Sequence, residues 1–565
     1  MTPSQPPAPL QLAERHLQSW AERLGEAARP ILADAELLAA LRQVFEASEF
    51  VALACQREPA LLPTLLASGD LRKSLAEGEL AMRLSQRLAA VTEENALHRE
   101  LRLFRRDQMV RIIWRDLARW APLAETLEDL SELADVCVDE TLELLYRWAV
   151  EKQGTPRDEN GVEQRLVVLG MGKLGARELN LSSDIDLLFA FPAHGRVDGP
   201  RPIANEQFFA RLCQQLMKAI NNQTADGFVF RVDARLRPFG DAGPLAFSFE
   251  AMEAYYQSQA REWERYAMIK ARVVAGDRAA GAALMAMLRP FVYRRYLDFG
   301  AIESLRDMKQ LISKELMRKG MAENIKLGPG GIREIEFLGQ AFQLIRGGRD
   351  PDLQIRPILP VLRLLGEKGL LPEYAVKDLT EAYEFLRLVE NRLQAWRDQQ
   401  THLLPEDADG RLRLARSMGF ADWDDFYPVL QRHRKRVQGH FDQVFAAPQA
   451  EASRPEESPL IALWNKALDL DDAQEILHQA GFAQPDQALR RCTTSARATP
   501  SGPWVRAGVS GWTSSCRCCW RPPVAARRRR PPWSGCFRCS TPLPAVPPTS
   551  PCWWRTRWPC RNWCD

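Results

Sequence analysis

The chain has 565 residues, and its composition is that of a globular protein, with 46% hydrophobic and 26% charged residues. This length predicts several domains. The formal net charge of +3 is unevenly distributed, because residues 492–565 hold 12 arginines and a single acid. Residues 1–491 are therefore acidic, which gives no reason to expect nucleic-acid binding. No run reaches the roughly 18 apolar residues of a membrane helix, so we expect no membrane partner.

Cysteine usage and the first residues predict the compartment. Only Cys55, Cys137 and Cys213 precede residue 492, and a few scattered cysteines are typical of a reducing cytosol. The segment Met1–Leu10 is proline-rich and polar, without the apolar centre of a secretory signal. We therefore predict a cytoplasmic protein.

Residues 1–150 are predicted to form a helical region, because apolar residues recur at three- and four-residue spacing between prolines. The predicted helices are Leu10–Ala28, Asp34–Ala47, Leu71–Val91 and Asn95–Trp120. We expect a solvated basic face on the last helix, formed by Arg102, Arg105, Arg106 and Arg111. Residues 151–160 are predicted to be a polar linker.

The segment Arg165–Phe191 predicts a strand, a glycine turn and a second strand. Two short apolar runs, Leu166–Leu169 and Ile185–Phe189, are typical of buried strands. The glycines between them match a dinucleotide-binding fingerprint, but only about ten residues then precede the next strand, too few for the usual crossover. That interpretation is therefore the weaker one. A Walker A loop is excluded, since no Ser or Thr follows Lys173 at the required spacing.

Two carboxylates stand at the start of the second strand. Asp184 and Asp186 are two residues apart, and side chains at that spacing share one face of a strand. Unpaired carboxylates on one face are costly, and Mg²⁺ prefers carboxylates together with the phosphates of a substrate. The alternative is that both acids merely cap or solvate the strand end.

A third acid has the same character. The segment Phe228–Pro238 alternates with period two, which predicts a strand with one charged face formed by Arg231, Asp233, Arg235 and Arg237. Guanidinium groups bind phosphate bidentately. If the strands are adjacent, three carboxylates that hold Mg²⁺ are able to align an in-line displacement at phosphorus.

The segments that follow are predicted to be mostly helical. Residues 247–296 are predicted as helix, with possible phosphate contacts from Arg261, Lys270 and Arg272. Residues 303–445 are predicted as a helical bundle that contains an amphipathic helix over Thr380–Asp398. The bundle is entered through the glycine-rich loop Lys326–Gly331, which fits an anion-binding helix start or an interdomain hinge equally well. His402 is predicted to cap or pack rather than to catalyse.

The last segment differs in composition. Residues 492–565 hold eight Trp and nine Cys but no Lys, Glu, Ile or Tyr, and they show no helical or strand period. Two cysteine groups suggest a zinc site, Cys516 with Cys518 and Cys519, and Cys536 with Cys539. The run Arg527–Arg530 suggests a nucleic-acid-binding arm. Out-of-frame translation of a GC-rich coding sequence explains this amino-acid composition better than either of these two interpretations.

Four sequence blocks carry a resemblance to a known family: GMGKLGARELNLSSDIDLLF, RVDARLRPFGDAGPL, REWERYAMIKARVVAGD and KLGPGGIREIEF. They resemble the glutamine synthetase adenylyltransferase/adenylyl-removing enzymes. That family has two nucleotidyltransferase domains. The first removes AMP from a tyrosine of glutamine synthetase by phosphorolysis, giving ADP, and the second attaches AMP from ATP. The chain resembles the first half, and no second SSDID-like motif follows Phe191.

The resemblance implies an α+β fold, in which a nucleotidyltransferase-type mixed sheet is embedded in a mostly helical chain and followed by a helical bundle. The predicted domains are a helical region (1–150), the nucleotidyltransferase core (151–250), its helical extension (251–302), the bundle (303–447), a linker with the start of a truncated helical region (448–491) and the aberrant tail (492–565).

The predicted site combines carboxylates with phosphate-binding groups. Asp184, Asp186 and Asp233 are predicted to be catalytic and to bind Mg²⁺. Turn amides and arginines favour anions, and the predicted phosphate- and nucleotide-binding residues are Gly172, Lys173, Ser182, Ser183, Arg235 and Arg237.

The resemblance implies Mg²⁺-dependent phosphorolytic removal of AMP from glutamine synthetase, and thereby regulation of nitrogen assimilation. The implied partners are glutamine synthetase, ADP or ATP, phosphate and a PII signal protein. A non-catalytic regulatory fragment that binds glutamine synthetase or PII is the alternative. The three acids favour retained chemistry, since a scaffold would not need them.

Overall fold

The computed structural model describes residues 8–294 and 323–445. All of these residues lie in one of the two compact units into which the chain divides. The predicted segments 448–491 and 492–565 lie outside the described residues. The zinc and basic-arm interpretations of the last segment fall there as well.

The N-terminal region is helical, as predicted, and its helices begin at polar caps. Asp34 accepts hydrogen bonds from the Glu36 and Leu37 amides, and Ser48 accepts one from the Val51 amide. These bonds satisfy N–H groups that have no partner within the helix. The helices are α1 (Ala8–Leu24), α2 (Arg29–Ala33), α3 (Ala35–Ala47), α4 (Glu49–Arg57), α5 (Leu61–Ala67), α6 (Glu79–Leu88), α7 (Glu94–Leu117) and α8 (Leu123–Gln153).

A mixed sheet follows these helices. Its part of the chain contains β1 (Pro156–Asp158), β2 (Val167–Gly170), α9 (Gly172–Gly175), β3 (Ile185–Phe191), β4 (Gly195–Val197), α10 (Asn205–Asn221), β5 (Val232–Asp233), β6 (Ala246–Ser248) and β7 (Arg272–Gly276). The strand order is β5-β3-β2-β7, and β6 also pairs with β3. Strand β3 is antiparallel to β2 and parallel to β5 and β6. Strands β1 and β4 form a separate antiparallel pair.

Both faces of the central sheet are buried, which explains why its strands are continuous apolar runs. Along β3, Leu187, Phe189 and Phe191 pack into a core shared with the N-terminal helices. Leu188 and Ala190 pack into a second core shared with the C-terminal helices. Successive side chains of a strand point to opposite faces, so a strand that lies between two cores needs apolar residues at every position.

The helices after the sheet form the second layer, and the helical character predicted for the bundle is confirmed in its described residues. Helix α16 buries Ala382, Leu386 and Val389, as its apolar pattern predicts. The helices are α11 (Phe249–Ser258), α12 (Glu262–Met268), α13 (Arg278–Val292), α14 (Ile332–Arg346), α15 (Ile358–Glu367), α16 (Glu373–Ala395), α17 (Ala408–Met418) and α18 (Trp423–Phe445).

The predicted strand Phe228–Pro238 is wrong in its extent. Only Val232–Asp233 joins the sheet. The Arg235 amide donates a 2.8 Å hydrogen bond to the Asp233 side chain, and such local side-chain bonds compete with the sheet ladder. The chain then turns through Gly240, whose φ is +56°. The four charged side chains therefore do not share one strand face.

The predicted helix over 247–296 and the predicted linker over 151–160 are also wrong in part. Residues Arg272–Gly276 form β7, which pairs with β2, so the sheet extends beyond the predicted core boundary at residue 250. Val273 and Val274 are β-branched, and such residues fit a pleated sheet. The linker region contains the end of α8 and strand β1.

The predicted solvated arginine face on α7 is wrong, because Arg102, Arg105 and Arg111 are buried. Arg102 donates hydrogen bonds to the carbonyl oxygens of Ala219 (3.2 Å) and Gly227 (3.0 Å). These bonds occupy carbonyl groups in and after the last turn of α10. Arg105 and Arg111 each form an ion pair with an aspartate. The basic residues therefore stabilise contacts between elements.

Two findings relate to the expected compartment. Among the described helices, none is both long enough and apolar enough to cross a membrane. Cys55, Cys137 and Cys213 are buried free thiols. The cytoplasmic location stays a prediction.

Gly175 permits a close approach between α9 and the segment before β7. A β-carbon at this position would lie 1.9 Å from the Lys270 carbonyl oxygen and 2.5 Å from the Gly170 carbonyl oxygen. Both neighbours are backbone atoms, which cannot rotate away. A side chain here would therefore displace α9 from the sheet.

We expect Gly175→Ala to lower the free energy of unfolding by about 1–3 kcal/mol, because overpacking forces the backbone to shift. Urea denaturation followed by tryptophan fluorescence would measure the change. Gly439→Ala in α18 is the matched control, since a β-carbon there meets no atom within 4 Å. Equal denaturation midpoints for the two variants would contradict the packing of α9.

Candidate functional site

The three predicted carboxylates lie together at one end of the sheet. Asp186 in β3 is paired directly with Asp233 in β5, so the expected adjacency of these two acids is confirmed. Asp184 lies immediately before β3. The intervening Ile185 is buried, whereas Asp184 and Asp186 are partly exposed, as expected for side chains that share one face. The end of β3 therefore gathers negative charge.

Of the three acids, Asp186 has the least favourable environment for a negative charge. Burial, then the negative charges of Asp233 and Asp184, raises the pKa of Asp186 to about 7. Within the described residues, no group donates a hydrogen bond to its carboxylate. Like charges directly opposite each other on neighbouring strands are destabilising. Asp186 is therefore the carboxylate with the greatest need of a cation.

The other two acids are paired with arginines of the segment around β5. Arg231 donates a 2.8 Å hydrogen bond to Asp184, and Arg235 binds both carboxylate oxygens of Asp233. Burial opposes the ionisation of Asp233, but Arg235 outweighs it and lowers the pKa of Asp233. Arg235 therefore favours the ionised form of Asp233, and Arg231 fixes the position of the Asp184 carboxylate.

The acids fit Mg²⁺ in chemistry and charge. In residues 8–294 and 323–445, no three His, Cys, Asp or Glu side chains already converge as a metal site, and Asp184 and Asp233 bind arginines. Carboxylate oxygens are nevertheless the protein ligands that Mg²⁺ prefers. An ion next to Asp186 would also relieve the repulsion among the three acids. Metal binding would require Asp184 and Asp233 to exchange arginine contacts for the ion.

The glycine turn brings backbone next to the carboxylates. Gly172 has a φ of +52°, and a β-carbon at this position would lie 3.1 Å from the Asp186 Oδ2 atom. The Met171 amide donates a 2.9 Å hydrogen bond to the Asp186 carbonyl oxygen. Glycine is favoured here by its backbone conformation and by the approach of the carboxylate. The prediction that Gly172 binds phosphate stays a prediction.

Lys173 lies next to the turn, and its ammonium group binds protein groups. The Nζ atom lies 2.7 and 2.8 Å from the two carboxylate oxygens of Glu390 in α16 and 2.8 Å from Asn180 Oδ1. A phosphate would have to displace these partners, so the structure gives Lys173 a different contact from the predicted one. The contact joins the glycine turn to the helical bundle.

Glu390 is the centre of a buried charge network. Its side chain has no exposed surface, and it also lies 3.0 Å from Arg387 Nε and from His402 Nδ1. Burial alone would raise the pKa of this carboxyl. The charge of Lys173, followed by His402 and Arg387, holds the pKa of Glu390 well below its usual value. His402 therefore packs against a charged partner, in keeping with its predicted non-catalytic role.

The two predicted phosphate-binding serines are also engaged. The Ser182 amide donates a 2.8 Å hydrogen bond to Gln394 Oε1, and its hydroxyl accepts a 2.9 Å bond from Arg231. The Ser183 hydroxyl bonds the Asn180 side chain. These contacts fix the turn that carries Asp184, and phosphate binding by either serine stays a prediction.

Further predicted phosphate contacts have other partners. Arg237 donates hydrogen bonds to the carbonyl oxygens of Ala234 (2.7 Å) and Gly243 (3.3 Å), which close the turn after β5. Lys270 lies 2.6 Å from Glu336. Arg272 binds an aspartate of α8. Of the predicted arginine contacts, Arg235 stays next to the carboxylates.

Sequence reasoning missed the bundle residues of the site, chiefly Glu390, Gln394 and Arg387. A signal for Glu390 exists in the sequence. Glu390 follows Leu386 by four positions and precedes Leu393 by three, which places its carboxylate on the apolar face of a helix. A charged residue on a buried face requires a partner, although the pattern does not identify that partner.

The fold and the site define an α+β protein in which a small mixed sheet carries a carboxylate cluster beside a glycine turn. A family model described as glutamate-ammonia ligase adenylyltransferase matches residues 38–287, which include the whole cluster. A second model, described as GlnD PII-uridylyltransferase, matches residues 306–445. The first match assigns residues 38–287 to the glutamate-ammonia ligase adenylyltransferase family.

Curated relatives support this assignment. Three proteins named bifunctional glutamine synthetase adenylyltransferase/adenylyl-removing enzyme are similar to the chain. The protein of Thioalkalivibrio sulfidiphilus is 54% identical over 456 residues, 80% of this chain and 47% of that protein. The Nitrosococcus oceani protein is 54% identical over 460 residues (81% and 48%), and the Pseudomonas putida protein is 55% identical over 457 (80% and 46%). The chain spans about half the length of these relatives.

We expect Lys173→Met to destabilise the protein by about 3 kcal/mol, because it leaves the buried Glu390 carboxylate without its closest cation. Adding Glu390→Gln should restore part of the loss, since the two residues interact directly. Urea denaturation of the two single variants and the double variant would measure the coupling. Lys377→Met is the control, because Lys377 is exposed and an exposed pair contributes little. Additive losses in the double variant would contradict a direct ion pair.

Proposed function

We propose that the protein is a nucleotidyltransferase that removes AMP from an adenylylated tyrosine of glutamine synthetase by phosphorolysis, releasing ADP. The observation that carries the proposal is the carboxylate cluster of Asp184, Asp186 and Asp233, which lies inside the segment matched by the adenylyltransferase family model. The direction of the reaction rests on the four sequence blocks, which resemble the adenylyl-removing half of the family. The same blocks support a nucleotidyltransferase type of fold for the sheet.

The three carboxylates would hold Mg²⁺ in this reaction. When bound, the ion would offset the negative charge of the phosphates. Arg235 lies beside Asp233, so its guanidinium is placed to stabilise charge that develops on a phosphate oxygen. The Gly172 backbone next to Asp186 supports the phosphate-binding role of the turn.

The group transfer is an in-line displacement at phosphorus. An oxygen of inorganic phosphate forms a bond to the phosphorus of the tyrosine-bound AMP, and the bond between that phosphorus and the tyrosine oxygen breaks. The phenolate leaves with the electron pair and takes up a proton. The products are ADP and unmodified glutamine synthetase.

Glutamine synthetase is thus the proposed protein substrate, and its name in the relatives supports that choice. A PII signal protein is a proposed regulatory partner, for which the second family match gives modest support. We also propose a cytoplasmic location, with which the buried free thiols agree.

We expect Asp186→Asn to lower the rate of ADP release by about 100-fold or more, because charged groups at a reacting centre contribute on that scale. The assay combines the full chain with adenylylated glutamine synthetase, Mg²⁺ and phosphate. Asp241→Asn is the matched control, since Asp241 lies in the exposed turn after β5. Near-normal turnover by Asp186→Asn would discard the site assignment.

Removal of divalent cations should abolish ADP release, and addition of excess Mg²⁺ should restore it. The reason is that Asp186 has no cationic partner of its own at ion-pair distance among the described side chains. The measurement is turnover after treatment with EDTA, before and after Mg²⁺ is returned. Full activity in EDTA would refute the proposed metal role.

A parallel assay with unmodified glutamine synthetase and ATP tests the direction. Label transfer from ATP without ADP release would mean that the chain catalyses the opposite half-reaction. If the chain neither releases ADP nor transfers label from ATP but still binds glutamine synthetase, the result would favour a regulatory fragment. ADP release alone would establish the proposed reaction.

A further inference from the structure

Lys326 lies in a loop whose backbone is fixed by hydrogen bonds. The Asn324 side chain accepts hydrogen bonds from the amides of Lys326 (3.0 Å) and Leu327 (2.8 Å). The Ile325 amide donates a 2.9 Å hydrogen bond to the His402 carbonyl oxygen. Local bonds of this kind hold a turn in one conformation. The loop that precedes α14 is therefore anchored to the segment after α16.

This anchor leads directly to the glycine turn. His402 contacts Glu390, and Glu390 binds Lys173. Lys173 follows Gly172, whose backbone approaches the Asp186 carboxylate. The positive charge of Lys326 also acts on Asp186. Burial and the neighbouring acids raise the pKa of Asp186, and the Lys326 ammonium opposes that rise.

Among the residues that the structure describes, the Lys326 ammonium has no ion-pair partner. No acidic side chain in the described ranges lies within ion-pair distance of it, and no hydrogen bond from it to a described residue is formed. Six other basic residues of the described ranges that are candidates for the site are engaged by protein groups. They are Lys173, Arg231, Arg235, Arg237, Lys270 and Arg272. A lysine whose ammonium has no partner among the described residues, and whose charge acts on Asp186, is suited to an anionic ligand that approaches the same site.

We propose that Lys326 binds a phosphate group of the nucleotide during the reaction. This inference rests on the proposed function and changes which lysine is assigned to the phosphate. The sequence placed Lys173 among the phosphate-binding residues, whereas its ammonium contacts Glu390; we therefore assign the ligand contact to Lys326. The phosphate in question has two sources. It is the α-phosphate of AMP or the phosphate that enters as inorganic phosphate and becomes the β-phosphate of ADP.

The test measures the binding of ADP and of AMP to the full chain by isothermal titration calorimetry in the presence of Mg²⁺. Lys326→Met should weaken ADP binding by about 10- to 100-fold, the scale of a hydrogen bond to a charged group. Lys326→Arg should retain most of the affinity, because it keeps the charge. Lys377→Met is the control lysine, exposed on α16. Urea denaturation of each variant verifies that the fold is intact.

Comparison of the two ligands identifies the phosphate. Loss of ADP affinity with unchanged AMP affinity assigns Lys326 to the incoming phosphate, and Lys326→Met should then raise the KM for phosphate in turnover. Loss of affinity for both ligands assigns it to the α-phosphate. Unchanged binding of both ligands to a folded Lys326→Met variant overturns the inference.

The outcomes separate this inference from the proposed function. If the wild-type chain binds ADP but forms none from adenylylated glutamine synthetase and phosphate, the proposed reaction is wrong. Weaker ADP binding by Lys326→Met would still support the assignment of Lys326. If the wild-type chain binds neither nucleotide, the assignment of Lys326 is refuted together with the reaction. If turnover is normal and Lys326→Met changes neither affinity nor KM, the reaction stands and the assignment is wrong.

Discussion

The ion pair between Lys173 and Glu390 is the contact on which the geometry of the site depends. A carboxylate without exposed surface is stable only when cations and hydrogen-bond donors surround it, and Glu390 has Lys173, Arg387 and His402 around it. Lys173 belongs to the turn that approaches Asp186, while Glu390 belongs to the bundle. The position of the glycine turn is therefore set by a residue of the helical layer, as well as by the sheet that carries the turn.

The carboxylates at the end of β3 present the opposite electrostatic situation. Glu390 is fully compensated, whereas Asp186 faces two other acids and receives no hydrogen bond from the described residues. Perturbed groups of this kind gather at functional sites, although structural networks perturb pKa values as well. The compensated network lies beneath the turn, and the uncompensated charge lies at the partly exposed end of the strand. That difference separates the part that supports the site from the part that is suited to a ligand.

The sequence predicted those features of the site that depend on neighbouring residues. The strands around the glycine turn and the pair Asp184 and Asp186 follow from local patterns, and their proximity to Asp233 follows from strand pairing. The partner of Lys173 is 217 positions away in the chain, and no local pattern identifies it. The predicted strand after Phe228 failed for a related reason. Period-two alternation cannot reveal that Arg235 bonds the side chain of Asp233 instead of the ladder.

The two family matches describe one structural unit rather than two independent modules. Gln394 of the bundle accepts a hydrogen bond from the Ser182 amide, and Glu178 beside the glycine turn accepts one from the Ile358 amide at the start of α15. The second core also contains residues of both β2 and α16. The bundle therefore helps to position the turns that carry the glycines and Asp184. Because Glu390 in α16 binds Lys173 of the glycine turn, a displacement of α16 would also displace that turn.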